Sequence, residues 1–488
     1  MLLGLDVGTS STKALLIGRA GEPVAEASAG YAVEHPGPDR AETDPERWWE
    51  AVTSAARRLP AEGRAAVKGI GLSGQMHGVV LCRADGAPVR PAIVWLDGRA
   101  ASLLGRYPPE SPRITGNATT TGMTGPTLAW LEEHEPASIR AARWALLAKD
   151  FIRLRLTGEA ATDPSDASGT LLAGQEGRFD PGLLAAVGIR PDLLPPVLES
   201  SAAAGRLTGA AARALGLEAG IPVAAGAGDT LAAALGSGLW AEESAQLAIG
   251  TSAQVVVPRA SWPGFSPRLN VYRAASPAGL PRWCLMAAML NGGLALDWAR
   301  GTLRLTWDEA FSLAFAEGAL RSEAVFLPFL TGERTPWMDP DLRAGWMGVG
   351  AADGAGSLMR AALTGVAFSI RSGLEALREH GAAPARLRLA GGGTVHPAFR
   401  QLLSDAVGLP LDAVSVPNAA ARGAALLGGL AAGVLSRKDL PALAPEVTPV
   451  AEPGSAAELA ARYARFLDLR ARLADWFRAA GGRSTEDR

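Results

Sequence analysis

The first sixteen positions after the initiator constrain the chain most. Residues 2–17 read LLGLDVGTSSTKALLI, two apolar runs (2–7 and 14–17) around a small polar centre. That pattern predicts a β-hairpin turning at or near Gly8. Such a turn points backbone N–H groups and the hydroxyls of Thr9, Ser10, Ser11 and Thr12 outward, a concave donor array suited to phosphate oxygens. Asp6 lies inside the apolar strand, where an unpaired carboxylate is costly. Beside a phosphate it would repel, unless a Mg²⁺ bridged the two. The ordinary alternative is an edge hairpin whose Asp6 caps a neighbouring backbone group, and the stretch alone does not choose between them.

A second copy of the pattern does. Residues 246–257 read QLAIGTSAQVVV, again strand, Gly-Thr-Ser (Gly250, Thr251, Ser252) and strand. Laid on the first copy by that tripeptide, Leu5 meets Leu247, Val7 meets Ile249, and Asp6 meets Ala248. Two phosphate-type hairpins half a chain apart predict a duplicated fold closing on one nucleotide, with the metal-type acid in the first half only.

Composition narrows the class. At 488 residues the chain should hold two or more domains, and 48% hydrophobic against 20% charged residues gives it ample core. A net charge of −2 leaves no polybasic footprint, so no nucleic-acid partner is expected. Cys82 and Cys284 lack metal-type spacing and read as buried small hydrophobes in a reducing compartment. The N-terminus has no basic n-region and reaches Asp6 too early for a signal peptide. The longest weakly apolar run, 419–435, contains Arg422 and is mostly Ala and Gly, hence a close-packed helix and not a membrane span. A cytoplasmic location without membrane association is the expectation.

Along the chain, Thr43 and Glu46 have capping-box spacing with Pro45 in the first turn of a helix whose apolar face is Trp48, Trp49 and Val52. Strands at 67–73 and 79–82 flank Gly74-Gln75-Met76-His77-Gly78, where Gln75 and His77 could hydrogen-bond a polyol, although a lone His is more often structural. A strand over 93–99 closes in Asp97 and Arg99, an internal ion pair or part of the same pocket. Residues 149–156 form a helix stopped by Gly158, followed by a polar loop at 162–169. A strand at 221–225 breaks into Gly226-Ala227-Gly228-Asp229-Thr230 before a helix, so Asp229 reads as an N-cap that also projects into a crevice at the strand ends. Asn291-Gly292-Gly293 opens a helix through Trp298, a second N-terminus suited to phosphate. In LTGERTP at 330–336, Glu333 and Arg334 are expected to pair with each other or across a domain interface. A strand at 387–390 enters Gly391-Gly392-Gly393, where a flat group such as adenine can lie on the backbone. Residues 441–453 read as a linker, and Leu459, Tyr463, Phe466, Leu469, Leu473 and Trp476 mark the buried face of a final helix.

There is no Gly-Lys dipeptide for a Walker A loop and no His-Arg-Asp triplet for a protein-kinase catalytic loop. What remains, two hairpins, a glycine turn and the acids Asp6 and Asp229, is what phosphoryl transfer by positioning requires. The set GLDVGTSSTK, GQMHG (74–78), WLDGR (95–99), AGAGDT (225–230), IGTS (249–252), TGERTP (331–336) and AGGGTVHPAFRQLLSD (390–405) resembles the FGGY carbohydrate kinases, over residues 1 to about 435. Within that family Met76-His77 is most similar to the xylulokinases.

The resemblance implies an α/β, actin/hexokinase-like (ribonuclease H-like) duplicated fold with two domains around a central cleft. Residues 1–242 would form the N-terminal domain with the sugar site and the Mg-associated acids, 243–440 the nucleotide side, and 441–488 a linker and helix packed on the second domain. It implies ATP-dependent phosphorylation of the 5-hydroxyl of D-xylulose, with ATP, Mg²⁺ and a ketopentose as partners, and leaves a homodimer open. Carried over by position, Asp229 would be the general base and Asp6 the Mg²⁺-associated carboxylate. Gln75, Met76, His77, Asp229 and Thr230 would line the sugar site. Gly8, Thr9, Ser10, Lys13, Gly250, Thr251, Ser252, Gly293, Gly391, Gly392 and Gly393 would lie along the nucleotide. Three positions depart from the pattern: Thr230 and Leu96, where Asn is common, and His396, where Ser or Asn is frequent. The alternatives are a family member acting on another ketose or polyol (ribulose, a deoxy-sugar, glycerol) and a nucleotide-switched binding protein of the same fold.

Overall fold

The computed structural model describes residues 1–277, 279–390, 396–454 and 456–480. Strands β1 (Leu2–Val7) and β2 (Ser11–Ile17) form the expected hairpin, with Asp6 opposite Lys13 and Val7 opposite Thr12. Strand β3 (Pro23–Gly30) continues the antiparallel meander, while β4 (Gly69–Gly74) lies parallel to β1 with Ser73 beside Asp6. Beyond β4 come β5 (Ala203–Arg206), β6 (Pro222–Ala224) and the short β7 (Ala227–Gly228), giving the order β3-β2-β1-β4-β6-β5 with β7 also paired to β4.

The second half repeats the plan. Strands β8 (Ser244–Ile249), β9 (Ala253–Arg259), β10 (Asn270–Arg273), β11 (Trp283–Met289), β12 (Arg386–Ala390), β13 (Leu411–Val414) and β14 (Val447–Ala451) stand in the order β10-β11-β9-β8-β12-β13-β14. In each sheet a three-stranded antiparallel meander precedes two parallel neighbours (β3-β2-β1 then β4 and β6; β11-β9-β8 then β12 and β13). Within residues 79–194, inserted between β4 and β5, Leu103, Leu128, Leu131 and Leu172 build a separate small core, while Val80, Phe151 and Ile152 join the main one.

Every residue of β1 is buried because helices cover both faces of the sheet. Leu3, Leu5 and Val7 pack with Trp48 and Val52 of helix α1 (Pro45–Arg58). Leu2 packs on the opposite face, with Ala421 and Ala425. The two helices that matter most for the site are α4 (Asp229–Gly236) and α8 (Ala419–Ala431), the latter being the close-packed Ala/Gly helix. The other labelled helices are α2 (Ala148–Thr157), α3 (Pro164–Ala167), α5 (Gly293–Thr302), α6 (Ala355–Glu379), α7 (Pro397–Val407) and α9 (Ala456–Ala480). Helix α8 lies so close to β4 that a Cβ on Gly71 would sit 1.7 Å from the carbonyl oxygen of Ala424. A Cβ on Gly423 would sit 1.9 Å from that of Ala232 in α4.

Three sequence expectations need correction. The cap of α1 is Asp44, whose carboxylate accepts from Glu46 N at 3.0 Å; Thr43 is instead held in a short strand opposite Ala92. Residues 441–453 are not a free linker, since β14 pairs antiparallel with β13 and closes the edge of the second sheet. On α9, Leu459, Tyr463 and Phe466 are buried as expected, but Trp476 is 63% exposed. The buried stripe follows the helical period to Ala474 and Phe477, and the drift of a 3.6-residue turn carries Trp476 off it.

Replacing Gly71 by Ala is expected to destabilise the protein by about 3 kcal/mol or more, because the obstruction is backbone and cannot rotate away. Thermal unfolding of Gly71→Ala measures this, and an unchanged midpoint would contradict the close packing of α8 on β4.

Candidate active site

The parallel strands β1, β4 and β7 lie side by side, Asp6 level with Ser73 and Ser73 with Ala227. Their carboxyl ends form one crevice, where open α/β sheets bind ligands. Asp6 enters it from β1 and Asp229 from the first turn of α4, two residues beyond Ala227. Asp6 Oδ1 accepts from Ser73 Oγ at 2.7 Å. Burial holds its pKa above the ordinary carboxylate value, against the opposing pull of Ser73 and the Lys13 ammonium. Asp229 is not the N-cap; Gly228 is, and the Asp229 carboxylate accepts from Thr230 N at 2.6 Å. Burial pushes Asp229 up to about 7, and the charge of Asp6 adds to the rise. Asp229 therefore lies within electrostatic reach of Asp6.

On the acceptor side, Gln75, Met76 and His77 follow β4 directly. Gln75 Nε2 donates to Gly8 O at 3.2 Å, tying the hairpin turn to the end of β4, while its Oε1 is buried without a partner. Met76 is buried and packs against Gly228, where an added Cβ would meet its Sδ at 2.9 Å. His77 has φ 77° and places Nδ1 2.7 Å from Gly169 O. A carbonyl only accepts, so Nδ1 carries the hydrogen; burial lowers the imidazole pKa to about 4, which leaves Nε2 a neutral acceptor. Thr230 directs its hydroxyl at Asp229 Oδ1, 3.3 Å away.

Tyr272 and Arg334 were not singled out for this site by sequence. The Tyr272 ring, from β10 of the other half, lies 5.9 Å from that of His77. Arg334 is within electrostatic reach of both. Nothing local marked Tyr272, whereas Arg334 stands in the TGERTP motif. The expected Glu333–Arg334 pairing is replaced: Glu333 is buried and accepts from Leu290 N at 2.6 Å and Arg334 N at 2.8 Å. Asp97 and Arg99 form an internal ion pair at 2.8 Å that also holds Glu42 and Ala41 N.

On the nucleotide side, Gly8 N donates to Ser11 O at 3.1 Å, leaving Thr9 and Ser10 at the tip of the first turn. Thr9 Oγ1 accepts from the Trp95 indole at 3.0 Å. In the second hairpin Gly250 and Thr251 are exposed and Ser252 half-buried. Helix α5 begins at Gly293 as expected, but the N–H groups of Gly292, Gly293 and Leu294 donate to the carbonyls of Thr251 and Gly250 at 2.8–3.2 Å. Those three donors serve the hairpin, so the phosphate-facing reading of this N-terminus is corrected. Lys13 lines a cavity of about 460 Å³ with Leu389, Ala390, Val414 and Asn418, joining the first hairpin to the strand ends of the second sheet. Gly391, Gly392 and Gly393 lie outside the described residues. His396 stacks on Phe311, with ring centroids 4.0 Å apart.

Among the described residues no cluster of three or more His, Cys, Asp or Glu side chains could hold a metal ion. Two like-charged carboxylates facing one gap suit Mg²⁺, which keeps waters and takes phosphate oxygens beside one or two carboxylates. The donor chemistry fits.

Residues 1–236 match the N-terminal domain of the FGGY family of carbohydrate kinases, and residues 245–432 match its C-terminal domain. The xylulose kinase of Escherichia coli (strain K12) is 38% identical over 419 residues, 84% of this chain and 86% of that protein. A solved "xyloylose kinase" from Brucella ovis superposes with a TM-score of 0.90 at 33% identity, covering 97% of this chain and 99% of the other. A xylulose kinase structure from Rhodospirillum rubrum gives 0.87 at 30% identity, covering 98% and 99%.

If Asp229 accepts a proton during turnover, kcat/KM for the acceptor should fall tenfold per pH unit below about 7, since below its pKa the carboxyl already holds one. An acid limb centred near the ordinary carboxylate value would contradict the burial and the proximity of Asp6.

Proposed function

The chain belongs to the FGGY family of carbohydrate kinases, and on that premise we propose that it transfers the γ-phosphoryl group of ATP to the 5-hydroxyl of D-xylulose, giving D-xylulose 5-phosphate. Residues 1–242 carry most of the acceptor site, which Tyr272 and Arg334 approach from the other half, and residues 243–440 carry the nucleotide side. The single observation behind the assignment of roles is the raised pKa of Asp229 beside a second acid at the end of the same sheet.

Asp229 holds the acceptor hydroxyl and takes its proton as the oxygen attacks the γ-phosphorus; the bond to the β-bridging oxygen breaks and ADP leaves. The transition state is loose, so the hydroxyl proton departs late and a carboxylate is base enough. Neutral His77 accepts from a sugar hydroxyl through Nε2, and Met76 walls the sugar against Gly228. Lys13 faces the cavity shared with Ala390 and supplies positive charge toward the nucleotide. Asp6 is the carboxylate that would hold Mg²⁺, which when bound neutralises phosphate charge.

No helix among the described residues is long and apolar enough to cross a membrane. Cys82 and Cys284 are free buried thiols, in keeping with the cytoplasmic location we propose.

A panel of D-xylulose, D-ribulose, deoxy-sugars and glycerol in a coupled ADP-release assay should give strict dependence on sugar, with D-xylulose the best acceptor. Asp229→Ala should lower turnover by about a thousandfold while ATP binding survives. ADP release indifferent to sugar would favour a nucleotide switch instead, and turnover within tenfold of wild type in the variant would remove Asp229 as the base.

A further inference from the structure

Behind the crevice lies a cluster of charges with no access to solvent and no part in the steps above. Helix α2 supplies Lys149, Asp150 and Arg153; the start of α3 supplies Asp163 and Asp166; all five side chains are 0% exposed. Lys149 Nζ sits 2.7 Å from Asp150, 3.0 Å from Asp163 and 3.0 Å from Asp166. Arg153 reaches Asp150 at 3.1 Å and Ala225 O at 2.7 Å.

Asp163 organises the outward side of this cluster. Its Oδ1 faces Lys149, while its Oδ2 accepts from Ser165 N at 2.9 Å, Ser165 Oγ at 2.6 Å and Ser200 Oγ at 2.7 Å. A carboxylate only accepts, so the Ser165 hydroxyl must give its hydrogen to Asp163. Its lone pairs are then fixed, and one receives the N–H of Gly228 at 3.0 Å, immediately before Asp229. The same short segment reaches two further parts of the acceptor site. Gly169, whose N–H is held by Asp166 O at 2.9 Å, presents its carbonyl to His77 Nδ1. Ser168 Oγ accepts from Arg273 N of β10 at 3.0 Å, next to Tyr272.

We propose that Lys149 and Asp163, acting through Ser165, are positioning residues of the acceptor site, fixing residues 163–170 so that Gly228 sets the direction of Asp229 and Gly169 sets that of His77. The proposal rests on the reading of Asp229 as the base. A buried ion cluster is a poor device for stability alone, because apolar side chains of similar volume often do as well. This cluster ends instead on a backbone amide beside the base and a carbonyl beside the sugar-facing imidazole. Misplacing a reacting group by about 1 Å can cost about a hundredfold in rate.

Lys149→Met is the direct variant, but it leaves the buried Asp163 and Asp166 without a cation and Asp150 with Arg153 alone, and is open to failure of folding. Ser165→Ala is the informative one, since it removes the acceptor of Gly228 N–H while Asp163 Oδ2 keeps its bonds from Ser165 N and Ser200 Oγ. It is expected to keep a thermal midpoint close to the parent and an ATP affinity within about twofold, while kcat/KM for the sugar falls about tenfold or more. A smaller loss, or ATP affinity falling in step with sugar turnover, would overturn the positioning role. Asp229→Asn keeps two failures apart. Turnover surviving there overturns the reading of the base; an inactive Asp229→Asn beside a fully active Ser165→Ala overturns the positioning role alone.

Discussion

The halves of the molecule meet backbone on backbone. Where α8 crosses α4, Gly423 approaches the carbonyl of Ala232 and Gly236 approaches that of Ala419; on its other side α8 rests on β4 at Gly71 and Gly69. No side chain intervenes, so the separation is fixed by van der Waals contact of main-chain atoms and cannot relax by rotamer change. Asp229 is the first residue of α4, and Asp6 stands on β1 between α8 and the crevice. The separation of the two acids is thus governed by a glycine and alanine crossing to which the second half of the chain contributes α8 and the first half α4 and β4.

That rigidity makes the electrostatics useful. Burial first, and the charge of Asp6 second, push Asp229 up to about 7, well above the ordinary carboxylate range. On the proposed role of Asp229 as the base, no neighbouring histidine is needed to take the proton, and His77, kept neutral by burial, is left to hydrogen-bond. The hairpin turns are tied to the rest of the protein through their acceptors: Gly8 O accepts from Tyr31 and Gln75, Thr9 Oγ1 from the Trp95 indole, and the carbonyls of Gly250 and Thr251 from the N–H groups at the start of α5. These turns are held stiffly before any ligand arrives.

Much of this was legible in the sequence, for physical reasons. The hairpins were readable because strand period and turn residues are local, and the duplication because the second copy keeps both. Asp6 stood out as a charge in an apolar strand, and Asp229 as an acid between a strand and a helix. The Lys149 cluster was not legible: Lys149 stood only as the first residue of an expected helix and residues 162–169 as a polar loop, since only tertiary contact shows that Asp163, Asp166 and Lys149 neutralise one another. Tyr272 was hidden for the same reason, being an ordinary strand aromatic until β10 is brought against His77. The capping of α1 by Asp44 in place of Thr43, and the exposure of Trp476, turn on one residue of register, which composition does not resolve.

The two copies also diverge in a way that sequence overlay conceals. Matching them by Gly-Thr-Ser aligns Asp6 with Ala248, but beyond the turn the first copy carries one residue more: Val7 pairs with Thr12, whereas Ile249 pairs with Ala253. In space, therefore, the cross-strand pair Asp6–Lys13 corresponds to Ala248–Gln254. The acid and the base are absent together from the second copy, as expected if the lysine is tied to the acid by charge as well as by position. The first turn has a two-residue tip between Gly8 and Ser11, while the second is tighter, with Gly250 N bonded to Ser252 O at 2.9 Å and the tip reduced to Thr251. One scaffold thus carries two unlike hairpins, the first with an acid and a lysine paired across its strands and the second with neutral Ala248 and Gln254 at the same places.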